Sequence, residues 1–182
     1  HRTKSLYVDA LPCVSPLLAR YGVVTGQGAF VDLAVNQLRE FMAFGVDSRS
    51  GLPFHGYCDG GGSPLGTVGW SRGTGWLMMA LVETLTALAG ERHLVGVLEE
   101  WYVGLCERCR HYQSPEGGWR FLLPYADSPI ESSGTALIAC GIERGVRRGL
   151  LRSSWAAVGE KAIESLLAGA MTGGRVIGAE PK

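Results

Sequence analysis

Apolar residues recur at helical spacing in six successive segments of this chain, and that periodicity restricts it to an all-α fold. Tyr7, Leu11, Val14, Leu18 and Tyr21 form the first stripe, with Pro12 and Pro16 disturbing the helix. Phe30, Leu33, Leu38, Phe41 and Met42 form the second. Leu77, Leu81, Leu85 and Leu88 form the third, ended by Gly90. The fourth runs from about Leu94 to Tyr112. The fifth starts near Ser132 or Ser133, whose hydroxyls suit an N-cap, and runs to about Val146. Trp155, Val158, Ala162, Leu166 and Ala170 make the sixth, and a short extended tail, Arg175-Val176-Ile177, follows Gly173-Gly174.

The connections alternate in length. Tyr21 to Gly28 and Ala89 to His93 are short, whereas Asp47 to Gly75 and Ser114 to Ser132 are long and rich in Gly, Pro and aromatics. The two long ones share a plan. Ser50-Gly51-Leu52-Pro53-Phe54 matches Glu116-Gly117-Gly118-Trp119-Arg120, and each leads to a small-residue helix start, Gly73-Thr74-Gly75 and Ser133-Gly134-Thr135. The offset equals two helices plus two connections, so the chain reads as repeated helical hairpins with the long loops at one end. An α/α toroid and an α-solenoid both satisfy this pattern; long loops gathered at one mouth favour the toroid.

Composition excludes other classes. The 182 residues carry 17 basic and 17 acidic side chains, which provides no electrostatic footprint for nucleic acid or an anionic membrane. With 46% hydrophobic and 19% charged residues the chain has a globular composition, and its length suits one domain over residues 1–182. No apolar run approaches the roughly 20 residues of a membrane span. The opening His1-Arg2-Thr3-Lys4 carries no signal-peptide pattern, and patterned sequence begins by Leu6, as expected for a fragment, a processed chain or the product of a broken reading frame. Five cysteines at irregular spacing make a poor disulfide framework. The Cys106-x-x-Cys109 pair could be a metal half-site or a redox pair. No second ligand pair accompanies it, and Cys109 lies on the apolar stripe, so buried, reduced thiols in a cytoplasmic protein are expected.

Three places could carry chemistry. Asp9 in Tyr7-Val8-Asp9-Ala10-Leu11-Pro12, placed on the first helix, lies about 200° from Tyr7 and Leu11 at roughly 100° per residue. There it is either a solvated first-turn carboxylate favouring the helix dipole, or a lumen-facing acid desolvated for proton transfer. His55 in Phe54-His55-Gly56-Tyr57 is either structural or a ligand hydrogen-bonding group. Trp70-Ser71-Arg72-Gly73-Thr74-Gly75-Trp76 brackets an Arg with two tryptophans. Tryptophan faces stack on sugars, an Arg fork holds a carboxylate, and glycines admit a ligand to the backbone. The competing reading makes both tryptophans core residues and pairs Arg72 with a surface carboxylate.

Taken in order, the motifs around Asp9, Ser50 to Tyr57, Trp70 to Trp76 and Glu131-Ser132-Ser133-Gly134-Thr135-Ala136 resemble the unsaturated glucuronyl and rhamnogalacturonyl hydrolases, glycoside hydrolase families 88 and 105. The Trp70 to Trp76 run is closer to family 105. The resemblance implies a six-hairpin (α/α) barrel and a pocket at the loop end, with no metal and no cofactor. It implies Asp9 as the catalytic residue and His55, Trp70, Arg72 and Trp76 as substrate-binding residues. The chain departs from the family in length. Helices upstream of Asp9, with a second acidic residue, and the closing helices after the sixth stripe are absent, so an incomplete barrel is expected.

The implied substrate is an unsaturated uronic acid oligosaccharide of pectin type, whose terminal sugar is a C4=C5 vinyl ether. Asp9 would protonate C4 and water would add at C5, which requires a neutral acid in a dry pocket. Two functions remain open: this hydrolysis, or a non-catalytic helical module that keeps the fold or sugar binding. The five site residues are expected on one concave surface. The cut ring is expected to expose Leu11, Val14 and Leu18 at one end and Leu166 and Leu167 at the other, and so to self-associate.

Overall fold

A computed structural model describes residues 5–58, 62–90, 92–172 and 175–176. Six α-helices dominate the described residues: α1 (Leu11–Thr25), α2 (Gly28–Phe44), α3 (Ser71–Ala87), α4 (Arg92–His111), α5 (Ser132–Arg147) and α6 (Ala156–Ser165). They pair as hairpins α1–α2, α3–α4 and α5–α6. Helix α3 also packs against both α1 and α5, so α1, α3 and α5 form an inner layer and their partners an outer one. Three short strands, β1 (Ser5–Tyr7), β2 (Gly56–Cys58) and β3 (Ser63–Leu65), make an antiparallel sheet in that order, with Tyr7 opposite Gly56 and Gly56 opposite Leu65. A two-stranded ribbon, β4 (Met171–Thr172) with β5 (Arg175–Val176), follows α6. The extended tail is therefore half of a hairpin; Ile177 lies outside the described residues.

The helices occur where periodicity puts them, but several faces differ. Helix α1 begins only at Leu11, because Ser5–Tyr7 is a strand and Val8–Ala10 a 3-10 turn. Its buried face is Leu11, Ser15, Ala19 and Gly22, while Tyr7 and Tyr21 are exposed. Pro12 sits in the first turn, where its missing N–H has no intrahelical acceptor, and the helix continues through Pro16. In α2 the buried face is Val31, Ala34, Val35, Leu38 and Phe41, and Leu33 is outside it. The cap of α5 is neither serine. It is Glu131, whose carboxylate accepts from the Ser133 and Gly134 amides. Trp155 belongs to a 3-10 turn before α6, and Leu166 to a π turn after it. Leu11 is core, with Val14 and Leu18 half-buried, so the open flank of α1 carries Leu17, Tyr21 and Val24 instead.

The small buried residues have a packing cause. A Cβ on Gly75 would lie 2.5 Å from the Leu137 Cβ of α5, one on Gly141 2.5 Å from the Met78 sulfur, and one on Gly22 2.7 Å from Val31 Cγ2. Backbones can approach this closely only where one partner has no side chain. Large buried side chains bond to the backbone of neighbouring segments: Tyr102 donates to the Gly141 carbonyl (2.8 Å) and the Trp119 indole N–H donates to the Cys109 carbonyl (2.7 Å).

The repeated loop plan is a repeated conformation. Gly51 and Gly117 both take positive φ, 66° and 97°, and their amides close turns onto Asp47 (2.7 Å) and Ser114 (2.9 Å). The two long loops meet at the start of α3: Ser71 N–H donates to Phe121 O (2.9 Å) and Leu123 N–H to Gly69 O (2.8 Å).

Gly75→Ala is expected to destabilise the fold by about 1–3 kcal/mol through overpacking. Gly96→Ala, on α4 with nothing within 4 Å of the added methyl, is expected to stabilise by about 0.5–1 kcal/mol. Urea unfolding followed by circular dichroism measures both, and equal effects would remove the helix-contact explanation.

Candidate active site at the loop end

Asp9 and His55 come from segments far apart in sequence that β1 and β2 bring side by side. The Val8 amide donates to the His55 carbonyl (2.9 Å), which fastens the 3-10 turn carrying Asp9 to the residue preceding β2. His55 Nε2 then lies 2.9 Å from Asp9 Oδ2. The imidazole also makes edge contacts with Tyr7 (5.2 Å between centroids) and Trp70 (4.9 Å). Trp70 is the extended residue before α3, and Arg72, two residues on, holds its guanidinium 4.8 Å above the Trp70 ring. A cavity of about 330 Å³ opens here, lined by His55, Gly66, Thr67, Trp70, Arg72, Phe121 and Leu122.

Four of the five expected residues therefore converge. His55, Trp70 and Arg72 line the cavity, and Asp9, which is not in the lining, joins them through its contact with His55. Trp76 does not line it; it is partly buried against the core. The position of Asp9 differs in origin from the helical reading, since a strand and a 3-10 turn carry it. The dry setting expected for Asp9 holds for one oxygen only. Oδ1 is buried without a hydrogen-bond partner, whereas the side chain as a whole is 44% exposed. The oxygen available to a ligand is thus Oδ2, the one that faces His55.

Gly73 and Gly75 serve packing here. A Cβ at Gly73 would stand 2.7 Å from the Trp70 ring and 3.3 Å from Val8, so its absence lets the indole lie over the first helical turn. Phe121 and Leu122 escaped the sequence reading. Their one signal is the apolar run Phe121-Leu122-Leu123 in a loop that also holds Trp119, Tyr125 and Ile130, and nothing local says that the loop folds back onto α3. Glu131 was noted only as part of a motif. It is buried, accepts from Ser133 Oγ (2.5 Å) and Ser71 Oγ (3.4 Å), and so ties the start of α5 to that of α3 beneath the cavity.

Cys106 and Cys109 are buried on α4, away from this site. Burial pushes the Cys106 thiol up to about 12, and burial together with neighbouring Cys106 raises Cys109. Burial also raises the Tyr102 phenol beside them. Both thiols are free, as are Cys13, Cys58 and Cys140.

Known proteins resemble this chain along nearly its whole length. The profile of Glycosyl Hydrolase Family 88 matches residues 2–177. Protein Atu3128 of Agrobacterium fabrum is 31% identical over 170 residues, which cover 85% of this chain and 67% of that protein. A possible member of the GH105 family from Salmonella enterica superposes with a TM-score of 0.84 at 24% identity, over 98% of this chain and 48% of the other. The unsaturated glucuronyl hydrolase of Bacillus sp. GL1, responsible for the degradation of glycosaminoglycan, superposes with a TM-score of 0.74 at 17% identity, over 92% and 48%. The chain thus has the helical-hairpin fold of the six-hairpin glycosidases and spans about half the length of these solved structures.

Thiol labelling of the native protein is expected to modify Cys13 and Cys140, which are exposed, and to spare Cys106 and Cys109 until unfolding. Above the ordinary thiol value of 9.0 the unfolded chain ionises while the folded Cys106, raised to about 12, stays neutral. Stability is therefore expected to fall as pH rises from 9 towards 12. Rapid native labelling of Cys106 or Cys109, or a flat alkaline limb in thermal melts, would refute this.

Proposed function

The chain belongs to glycosyl hydrolase family 88, and on that footing we propose that it removes the terminal unsaturated uronic acid from pectin-type, rhamnogalacturonan-derived oligosaccharides. The observation that carries the reading is the Asp9–His55 pair beside a cavity walled by Trp70 and Phe121 and topped by Arg72. The indole, on the face that Arg72 leaves open, is the proposed sugar-stacking surface. A guanidinium held over it is placed to meet the C6 carboxylate of a uronic acid.

In the proposed reaction Asp9, as the neutral acid, delivers its Oδ2 proton to C4 of the vinyl ether. The C4=C5 pair forms the new C–H bond, and positive charge develops at C5, shared with the ring oxygen. Nε2–H of His55 then hydrogen-bonds the carboxylate that remains. That carboxylate takes a proton from water as the water oxygen bonds to C5. The hemiketal opens at the C5–ring oxygen bond, and the hemiacetal left at C1 collapses to release the neighbouring sugar. Bond breaking follows hydration, so one carboxylate serves both proton transfers, whereas direct displacement at C1 requires two.

Incubation with an unsaturated rhamnogalacturonan disaccharide, followed by loss of the double-bond absorbance, tests the reading. Asp9→Asn should lower turnover at least about 10²–10⁴-fold, the usual contribution of a general acid–base group, with the helical dichroism intact. Equal turnover in the variant would remove Asp9 from the mechanism, and no turnover in the parent chain would favour a non-catalytic module.

We further propose that copies associate through the flank of α1. Leu17 (66% exposed) and Val24 (80%) with Tyr21 form an apolar stripe opposite the buried Leu11, Ser15, Ala19 and Gly22. Such stripes on soluble chains mark interfaces, and a two-fold axis would bury the stripe of one copy against that of the other. Light scattering after size exclusion at micromolar concentration should report a species larger than 19.5 kDa, reduced to monomer by Leu17→Glu with Val24→Glu. A stable monomer of the parent chain would overturn the interface.

A further inference from the structure

Backbone bonds and one carboxylate do not by themselves fix the plane of the His55 ring. The Val8 amide holds the His55 carbonyl (2.9 Å), and Asp9 holds Nε2, yet χ2 of histidine is a broad torsion with little intrinsic preference. We propose that Tyr7 is a positioning residue whose ring, together with Trp70, fixes the His55 imidazole so that Nε2 stays on Asp9 Oδ2. Tyr7 meets the imidazole at 61° and 5.2 Å, and Trp70 meets it at 71° and 4.9 Å, both edge geometries that aromatic quadrupoles favour.

Core packing does not account for Tyr7. It is 44% exposed at the end of β1, and the imidazole is its one close ring neighbour among the described residues. The strand partner makes room for it. Gly56 lies opposite Tyr7, and a Cβ there would stand 3.0 Å from Tyr7 Cδ1 and 2.5 Å from the Leu6 carbonyl. A side chain at position 56 would clash with the β1 backbone and crowd the phenol ring. The Tyr7–Gly56 register thus places an aromatic edge on the ring that faces the accessible oxygen of Asp9. Apart from His55, Tyr7 makes no ring or hydrogen-bond contact described with a residue lining the cavity or with Asp9, so it acts through His55.

Long-range proton–nitrogen correlation spectra of the imidazoles in the full chain test this, with His55 assigned by His55→Gln. Tyr7→Phe keeps the ring and should leave the His55 nitrogen shifts and titration midpoint at parent values. Tyr7→Leu should move both, while the other three histidines stay in place. The kinetic arm rests on the proposed hydrolysis. With the unsaturated disaccharide, Tyr7→Leu should lower kcat about threefold to tenfold, the size an edge-to-face contact carries, at unchanged KM, and Tyr7→Phe should restore it. Folded Tyr7→Leu with unaltered His55 shifts and midpoint would overturn the positioning role whatever the turnover. If the parent chain shows no turnover, the hydrolase reading falls and the imidazole spectra still decide the role of Tyr7. Should Tyr7→Leu fail to fold, cross-relaxation between the Tyr7 and His55 ring protons of the parent protein decides instead: its presence supports the contact, and its absence overturns it.

Discussion

The close approach of the inner helices governs the rest of this structure. Helix α3 lies against α5 with Gly75 facing Leu137 and Gly141 facing Met78, at separations that a methyl group would fill. Side-chain-free contact brings the starts of α3 and α5 together, and that juxtaposition allows one buried carboxylate, Glu131, to cap α5 while reaching the Ser71 hydroxyl of α3. Buried carboxylates are costly unless their lone pairs are met, and here amides and hydroxyls meet them. The junction then dictates where both long loops run, because Ser71 and Leu123 amides bind across from one loop to the other.

The site is a consequence of that junction. Trp70 ends one loop at the start of α3, Phe121 and Leu122 come from the other loop, and His55 immediately precedes the strand that pairs with the residues just ahead of Asp9. No single element carries the cavity, and each wall depends on a backbone hydrogen bond to a different neighbour. The arrangement places the Tyr7 and Trp70 rings against the imidazole that faces Asp9. The acidic oxygen open to a ligand is the oxygen that the imidazole contacts, while its twin is buried.

Helix existence was legible because a 3.6-residue repeat of apolar side chains has few other solutions. Helix faces were less so. Tyr21 and Leu33 match the repeat and yet stand outside the core, while Ser15, Ala19 and Gly22 form the buried side of α1. A pattern weighted by hydrophobic size misses an interface built from small residues, where closeness of backbones replaces bulk. The cap of α5 was missed for a related reason: serine is the commoner cap, and only a neighbour such as Ser71 makes a buried Glu131 affordable there. For Asp9 the helical wheel reached the neighbourhood by the wrong geometry, since Tyr7 to Ala10 is strand and 3-10 turn.

By itself the sequence determined the class of the fold and the hairpin repeat, and its resemblance to a known family marked Asp9, His55, Trp70 and Arg72 as a candidate group. The first two follow from local periodicity and loop spacing, and the candidate group follows from the order of the motifs that carry the resemblance, each written within a few residues. Tertiary structure alone decided that Trp76 lies outside the cavity's lining, that Phe121 and Leu122 line the cavity, that Tyr7 faces His55, and which oxygen of Asp9 is accessible. Those outcomes depend on how closely α3 and α5 approach and on which strand pairs with which, contacts between residues dozens of positions apart that no local pattern encodes.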